Sequence, residues 1–259
     1  VIPVLATYQG TAKRSVPAGA KVTRQLPSIG AAAMSVEAQL GTDRVFAEEL
    51  QALRPHPGQA SSAANLRRIL ADSGVVASHR GPDCNRVQDA YSLRCSPQVH
   101  GAARDTWSHA WSVADRELAS AVDNPVVLAG EGRVESNGNF HGAPVGYVLD
   151  FLAIAVADLA SISERRTDRF LDRARSHGLP PFLADDPGVD SGHMIAQYTA
   201  AGIVSELKRL ATPASVPAAA SDPVALDHRF AVVAAGRLEA AVHTHAAVER
   251  RERGLVEVN

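Results

Sequence analysis

The chain has 259 residues, 46% of them hydrophobic, which is ample for a core in one large domain or two modest ones. A formal net charge of −2 and a pI near 6.6 leave no global positive field to gather phosphates, so nucleic acid is excluded as an expected partner. Aromatics at 5% beside abundant alanine favour closely packed helices over an aromatic-rich sheet sandwich.

Residues 1–30 mix short apolar pieces with Gly10, Pro17, Gly19 and Pro27 and hold no sustained period, so they read as a lead-in distinct from 31–259. The opening Val1 to Ala6 is too short and poorly flanked for a signal peptide, and with two cysteines, Cys84 and Cys95, a reducing cytoplasm is expected. Ala31 to Leu40 reads as a helix. A Pro-rich turn follows over Arg54 to Gly58, after which Ser61 or Ser62 can cap a helix through Ala64, Leu66, Ile69 and Leu70 that Gly74 stops.

Beyond a polar run from Gln88 to Gly101, Pro97 suits the first turn of a long helix carrying Val99, Trp107, Trp111, Val113, Ala114 and Leu118, with a boundary near Asp123-Asn124-Pro125. Val145 to Ile162 places Val148, Leu152, Ala155, Leu159 and Ile162 at alternating steps of four and three, with further apolar residues between them. Such a helix belongs in the middle of a bundle. Asp150 and Asp158 interrupt it well inside the roughly 20 residues a membrane span needs, so no membrane is expected. Gly178 to Asp190, with three prolines, reads as a loop, Ser191 to Leu210 as a buried helix, and Val224 to Arg250 as a final helix with Phe230, Val233, Leu238 and Val242 on one stripe. The expected fold is all-α, a long-helix bundle.

The polar run packs amide, phenol and guanidinium groups closely. Arg94 offers a planar fork suited to a carboxylate, Tyr91 a hydroxyl that gives or takes a proton, and Gln88 two donors and an acceptor, so together they can hold an amino acid. The rival reading pairs Arg94 with Asp89 in an ordinary buried network. His243 and His245 are two apart on a predicted helix and so face apart, and His56, His100 and His109 have no ligand spacing, so no metal is expected.

The stretch Gln88-Asp89-Ala90-Tyr91-Ser92-Leu93-Arg94-Cys95-Ser96-Pro97-Gln98-Val99-His100-Gly101 resembles the active-site signature of histidine ammonia-lyase and its relatives, the aromatic amino-acid ammonia-lyases and aminomutases built around a methylideneimidazolone group. Ser136-Asn137-Gly138-Asn139-Phe140-His141-Gly142-Ala143-Pro144 resembles that family too, as do Ser191-Gly192-His193-Met194-Ile195-Ala196-Gln197, leading into Pro213-Ala214-Ser215-Val216, and Arg54-Pro55-His56-Pro57-Gly58-Gln59 upstream. The resemblance extends from about Ala31 to about Arg251 and implies the fumarase/aspartase-like bundle. Family members form their electrophile from Ala-Ser-Gly in the N-terminal half. That tripeptide does not occur here, and Ser73-Gly74 and Ser191-Gly192 are each preceded by Asp, so the chain resembles the C-terminal half.

In the family the substrate amine adds to the electrophile, a base removes the proton β to the carboxylate, and ammonia leaves. By resemblance Arg94 grips the α-carboxylate, Tyr91 supports orientation or proton movement, and Gln88 hydrogen-bonds near the prosthetic group. Phe140 corresponds to the aromatic packed against electrophile and substrate, with core filler as its rival role, and Asn137 and Asn139 can equally satisfy loop carbonyls. Met194 and His193 stand where the family's substrate pocket receives a side-chain contact, His193 in place of a commonly apolar residue.

At the start of the last helix the histidine-specific enzymes carry an acid just before an Asp-His pair. This chain reads Val224-Ala225-Leu226-Asp227-His228, and Leu226 can neither accept a proton nor hydrogen-bond an imidazole, so a substrate other than histidine is expected unless the register shifts to Asp227. Family pockets are shared between subunits of a tetramer. The resemblance therefore implies a partner chain, or lost portion, carrying Ala-Ser-Gly and supplying the methylideneimidazolone, in a hetero- or homo-tetrameric carbon–nitrogen lyase inactive as this chain alone. The rival from another class is a non-catalytic scaffold or amino-acid-binding half-enzyme that stabilises a partner.

Overall fold

The computed structural model describes residues 28–81, 84 and 87–215. The lead-in up to residue 27 and the final helix with Leu226 lie outside the described residues. Helices dominate in the order α1 (Ser28–Ala38), α2 (Glu48–Ala52), α3 (Pro57–Ile69), α4 (Gly74–Ser78), α5 (Tyr91–Arg94), α6 (Ser96–Leu118), α7 (Ala143–Leu171) and α8 (Met194–Leu210), with 3-10 turns at Arg44–Phe46 and Pro181–Leu183. One hairpin, β1 (Val126–Leu128) and β2 (Arg133–Glu135), pairs antiparallel with Val127 opposite Val134. Its strands are too short to register as a two-residue period in sequence.

α7 is the axis. Its 29 residues, a rise of about 44 Å, pack antiparallel to both α6 and α8. The direction of α8 is fixed by its ends: Gln197 donates to Glu164 near the end of α7, whereas Ala214 and Ser215, beyond α8, donate to Asp150 near its start. One core lies between these three helices, around Val113, Val148, Leu152, Val156, Val204 and Leu207. A second gathers α1, α3, α4 and α5 around Val36, Phe46, Leu66, Leu70, Val76 and Leu93. Alanines make the close approach possible, with Ala32, Ala33, Ala63 and Ala160 wholly buried. The α7 helix is long and apolar enough to cross a membrane by length and composition alone, yet 56% of its most apolar window is buried against its neighbours.

Boundaries differ from the sequence expectation in instructive ways. α3 begins at Pro57, ahead of Ser61 and Ser62, because extended His56 feeds a proline whose fixed φ starts the helix; Ser62 is then buried inside it. It ends at Ile69, and Gly74 opens α4 instead of stopping α3: Asp72 reverses the chain at φ 61°, and the Ser73 hydroxyl caps α4 by accepting from the Val76 N–H at 3.1 Å. α7 runs to Leu171, nine residues beyond the apolar period that marks it in sequence, because the buried positions continue through Ser163, Arg166 and Thr167 with polar side chains.

Two features tie the bundle together. At the α3–α6 crossing a Cβ on Gly101 would lie 2.4 Å from the Gln59 Cα, and one on Gly58 would lie 2.2 Å from the Gly101 carbonyl oxygen, so the two backbones touch. Asp150, buried on α7, accepts from the N–H groups of Ala214 and Ser215 at 3.0 and 2.9 Å and from the Ser215 hydroxyl at 2.6 Å. Gly101→Ala is expected to lower stability by about 1–3 kcal/mol through overpacking, while Gly74→Ala, where nothing lies within 4 Å of an added Cβ, leaves the denaturant midpoint where it is or raises it. Asp150→Asn, which turns an amide NH2 toward one of the two N–H donors and leaves that donor unsatisfied, should cost about 1–3 kcal/mol in the same measurement.

Candidate active site

Within the polar signature, Tyr91–Arg94 form a single helical turn. Leu93, 2% exposed, plugs α5 into the second core, which turns Tyr91 and Arg94, three residues apart, to the other side. Arg94 Cζ stands 4.6 Å from the centroid of the Tyr91 ring, and Arg94 Nη1 donates to Gln88 Oε1, so guanidinium, phenol and carboxamide meet. The rival Arg94–Asp89 pair does not form. Asp89 instead accepts from the Thr42 N–H at 2.7 Å, fastening the approach to α5 onto the segment after α1.

Tyr91 opens on a groove of about 440 Å³ between α5–α6 and the last turns of α7, walled by Tyr91, Cys95 and Val99 on one side and by Asp158, Ile162, Arg165 and Arg169 on the other, with Arg94 and Gln88 beside Tyr91 outside its lining. The cations that line it are committed. Arg165 donates to both oxygens of Glu164 at 2.5 and 2.6 Å, a bond that raises its pKa, and Arg175 is 2.9 Å from Asp168 and hydrogen-bonded to Asp172. That bond pulls the Asp172 carboxyl below the usual carboxylate range and lifts Arg175 further. Arg169 donates to Gln39 Oε1 and the Arg175 carbonyl. Arg94 differs in that its partners are a neutral, exposed amide and a ring face, both displaceable by an incoming carboxylate.

Met194 opens α8 and lines a second cleft of about 320 Å³ with Leu171, Pro181 and Phe182; Asp168 lines both cavities, so Met194 belongs to the same end of the bundle. His193 precedes the helix and its N–H donates to the Phe182 carbonyl at 2.8 Å. Gly192, at φ 46°, makes that closure possible, since a Cβ there would sit 2.4 Å from the same carbonyl oxygen.

Phe140 is not brought to this end. It is 38% exposed in the loop before α7, and from Ala143 to Ile162 the helix rises about 28 Å, so within one chain Phe140 and Arg94 occupy opposite ends of the bundle. Asn137 plays the loop role: its main-chain N–H donates to Asn124 Oδ1, its Nδ2 to the Asp123 carbonyl, and its Oδ1 accepts from the Asn139 N–H. Leu226 lies outside the described residues. Among the described residues no three His, Cys, Asp or Glu side chains gather as metal ligands.

Sequence reasoning passes over Arg166, which is 0% exposed and donates to the Ser92 carbonyl in the middle of α5. A signal for it exists. Leu159, Ile162, Arg166 and Phe170 sit at helical steps on the buried stripe, and an arginine at such a step needs an explanation.

The family model described as aromatic amino acid lyase matches residues 22–248. Among curated proteins, the histidine ammonia-lyase of Streptomyces coelicolor is 69% identical over 197 residues, covering 76% of this chain and 38% of that protein. The histidine ammonia-lyase of Anaeromyxobacter sp. (strain K) is 52% identical over 198 residues, covering 76% and 39%. The chain thus spans well under half the length of the curated relatives it matches. Among solved structures, the Pantoea agglomerans phenylalanine aminomutase aligns with a TM-score of 0.78 at 30% identity over 88% of this chain and 48% of that one. Histidine ammonia-lyase from Trypanosoma cruzi aligns at 0.72 and 35% identity over 89% and 42%. With its helical bundle and its converged glutamine, tyrosine and arginine, the chain belongs to the aromatic amino acid lyase family.

Proposed function

We propose that this chain is the substrate-side, C-terminal component of a carbon–nitrogen lyase that eliminates or migrates the α-amino group of an amino acid, in a site completed by other polypeptide. The observation that carries this reading is Arg94 resting on Tyr91 and Gln88, with Tyr91 itself lining a groove large enough for an amino acid. The chain lacks Ala-Ser-Gly, so the methylideneimidazolone is assigned to a partner chain or preceding portion, where it supplies the electrophile for the amino group. Arg94 exchanges the Gln88 amide for the α-carboxylate, fixing the substrate by a bidentate pair. Tyr91, fixed beside it, orients the reacting end and moves a proton, and Gln88, once displaced, hydrogen-bonds beside the prosthetic group. Met194, with His193 at its back, walls the side-chain end.

The separation of Phe140 from Arg94 supports a site shared between copies, each lending its two ends to different pockets. So does the face of α7 on which Tyr147, Phe151 and Ile154 recur at steps of four and three, all exposed. A tetramer of chains, homomeric or with a separate partner, meets both demands.

For the substrate, histidine is the first candidate. The relatives near 69% identity are named histidine ammonia-lyases, which weighs against the non-histidine expectation drawn from Leu226 alone. The position of Asp227, one residue on, gives that family's acid an alternative place in this chain. The test is co-production with a neighbouring or preceding Ala-Ser-Gly segment, followed by assay of α,β-unsaturated acid from histidine, phenylalanine and tyrosine. Turnover is expected from the complex and none from this chain alone. A stable complex without turnover on any of them would leave the scaffold reading standing. In the active complex Arg94→Ala should cut kcat/KM about 100- to 1000-fold, mainly through KM, with Arg94→Lys intermediate, and Tyr91→Phe should lower kcat with little change in KM.

A further inference from the structure

We propose that Arg166, buried on α7 beneath the α5 turn, is the positioning residue that sets where Tyr91 stands at the groove and where Arg94 stands beside it. The inference rests on the reading of Arg94 as the carboxylate-binding group, and its own basis is geometric.

α5 is four residues long, one turn closed by the Leu93 and Arg94 N–H groups donating to the Ala90 carbonyl at 3.0 Å. A turn that short has no stability of its own, so its place is dictated from outside. Three anchors from elsewhere in the fold supply it, beside the hydroxyl of Ser96 at the start of α6, which donates to the Ser92 carbonyl at 3.3 Å. Upstream, Asp89 holds the Thr42 N–H; inside, Leu93 fills the second core; beneath, Arg166 Nη1 donates to the Ser92 carbonyl at 3.4 Å. The first two constrain the approach and one face. The third holds the main chain between Tyr91 and Arg94 themselves.

Arg166 is in turn held fast. It is the largest wholly buried side chain among the described residues, and its carbonyl accepts from Gln39 Nε2 at 3.3 Å while Gln39 Oε1 accepts from Arg169 Nε at 3.1 Å, fastening the last turns of α7 to α1. A buried guanidinium cannot shed its proton, and an apolar chain of similar length is often as good for stability at such a place. Retaining the cation is therefore better explained by what its fork grips than by the packing it provides. Displacement of the Ser92 carbonyl by even a fraction of an ångström moves Arg94 and Tyr91 together, since they flank it in one turn.

The test uses the complex with its Ala-Ser-Gly-bearing complement, in a Cys84→Ser background, because Cys95 ends α5 and lines the same groove and so reports on the turn by its thiol labelling rate. Arg166→Met is expected to assemble, to raise KM about tenfold or more with a smaller change in kcat, and to speed Cys95 labelling several-fold; Arg166→Lys should lie between it and the parent. Phe170→Leu, on the same buried stripe, serves as the comparison: it should lower the unfolding midpoint while leaving KM and labelling alone. An assembled Arg166→Met with parental KM and labelling overturns the proposal. If Arg166→Met fails to assemble, Arg166→Lys decides, and parental KM and labelling there overturn it equally. A parent complex without turnover would sink the functional reading instead, and the labelling rates would still decide the role of Arg166.

Discussion

A straight helix cannot bring its two ends to one place, and α7 imposes that constraint on everything around it. Its 29 residues are gripped along their length by α6 and α8, so the Phe140 loop at its start and the groove lined by Tyr91 at its end are held apart by the rigidity of the bundle core. The proposed chemistry brings an aromatic ring and a guanidinium into one pocket, and their separation along α7 is what favours, within that proposal, a site shared between copies.

The bundle pairs its buried charges with specific donors. Asp150 is surrounded by three donors from the Ala214–Ser215 turn, and Glu164 is held by Arg165 and Gln197. Both carboxylates lie on α7, and each ties that helix to the segment that begins with α8 or ends beyond it, so α7 acts as a strut with fixed attachment points. The groove inherits this order: Arg165, Arg169 and Arg175 in its wall are each engaged by partners, whereas Arg94, beside Tyr91, rests on a neutral amide and a ring face.

Much of this is legible in the sequence. The long helices come from apolar steps of three and four, and Pro97 and the prolines of the Gly178–Asp190 loop mark real boundaries. Tyr91 and Arg94 are three residues apart, so one helical turn makes them neighbours, and Gln88, in the irregular stretch just before it, folds back onto Arg94. The parts that escape depend on tertiary structure. Gly74 reads as a stop because glycine commonly ends helices, whereas here Asp72 makes the reversal and Ser73 caps α4. Arg166 escapes because hydropathy treats a charge as a surface residue, and only the packed structure reveals it beneath α5. The distance from Phe140 to Arg94 is a property of a helix's length in space, which motif order along a chain does not convey.

The backbone contact between Gly58 and Gly101 carries a consequence for how the molecule tolerates change. Where side chains mediate a crossing, rotamer shifts can absorb a substitution on either helix; where main chain meets main chain, no such cushion exists. The Arg54–Gly58 turn is thereby pinned to the stem from which the Gln88–Arg94 run projects, and drift at one must be answered at the other. Two residues with no side chain at all thus couple the histories of two segments that lie far apart in the chain.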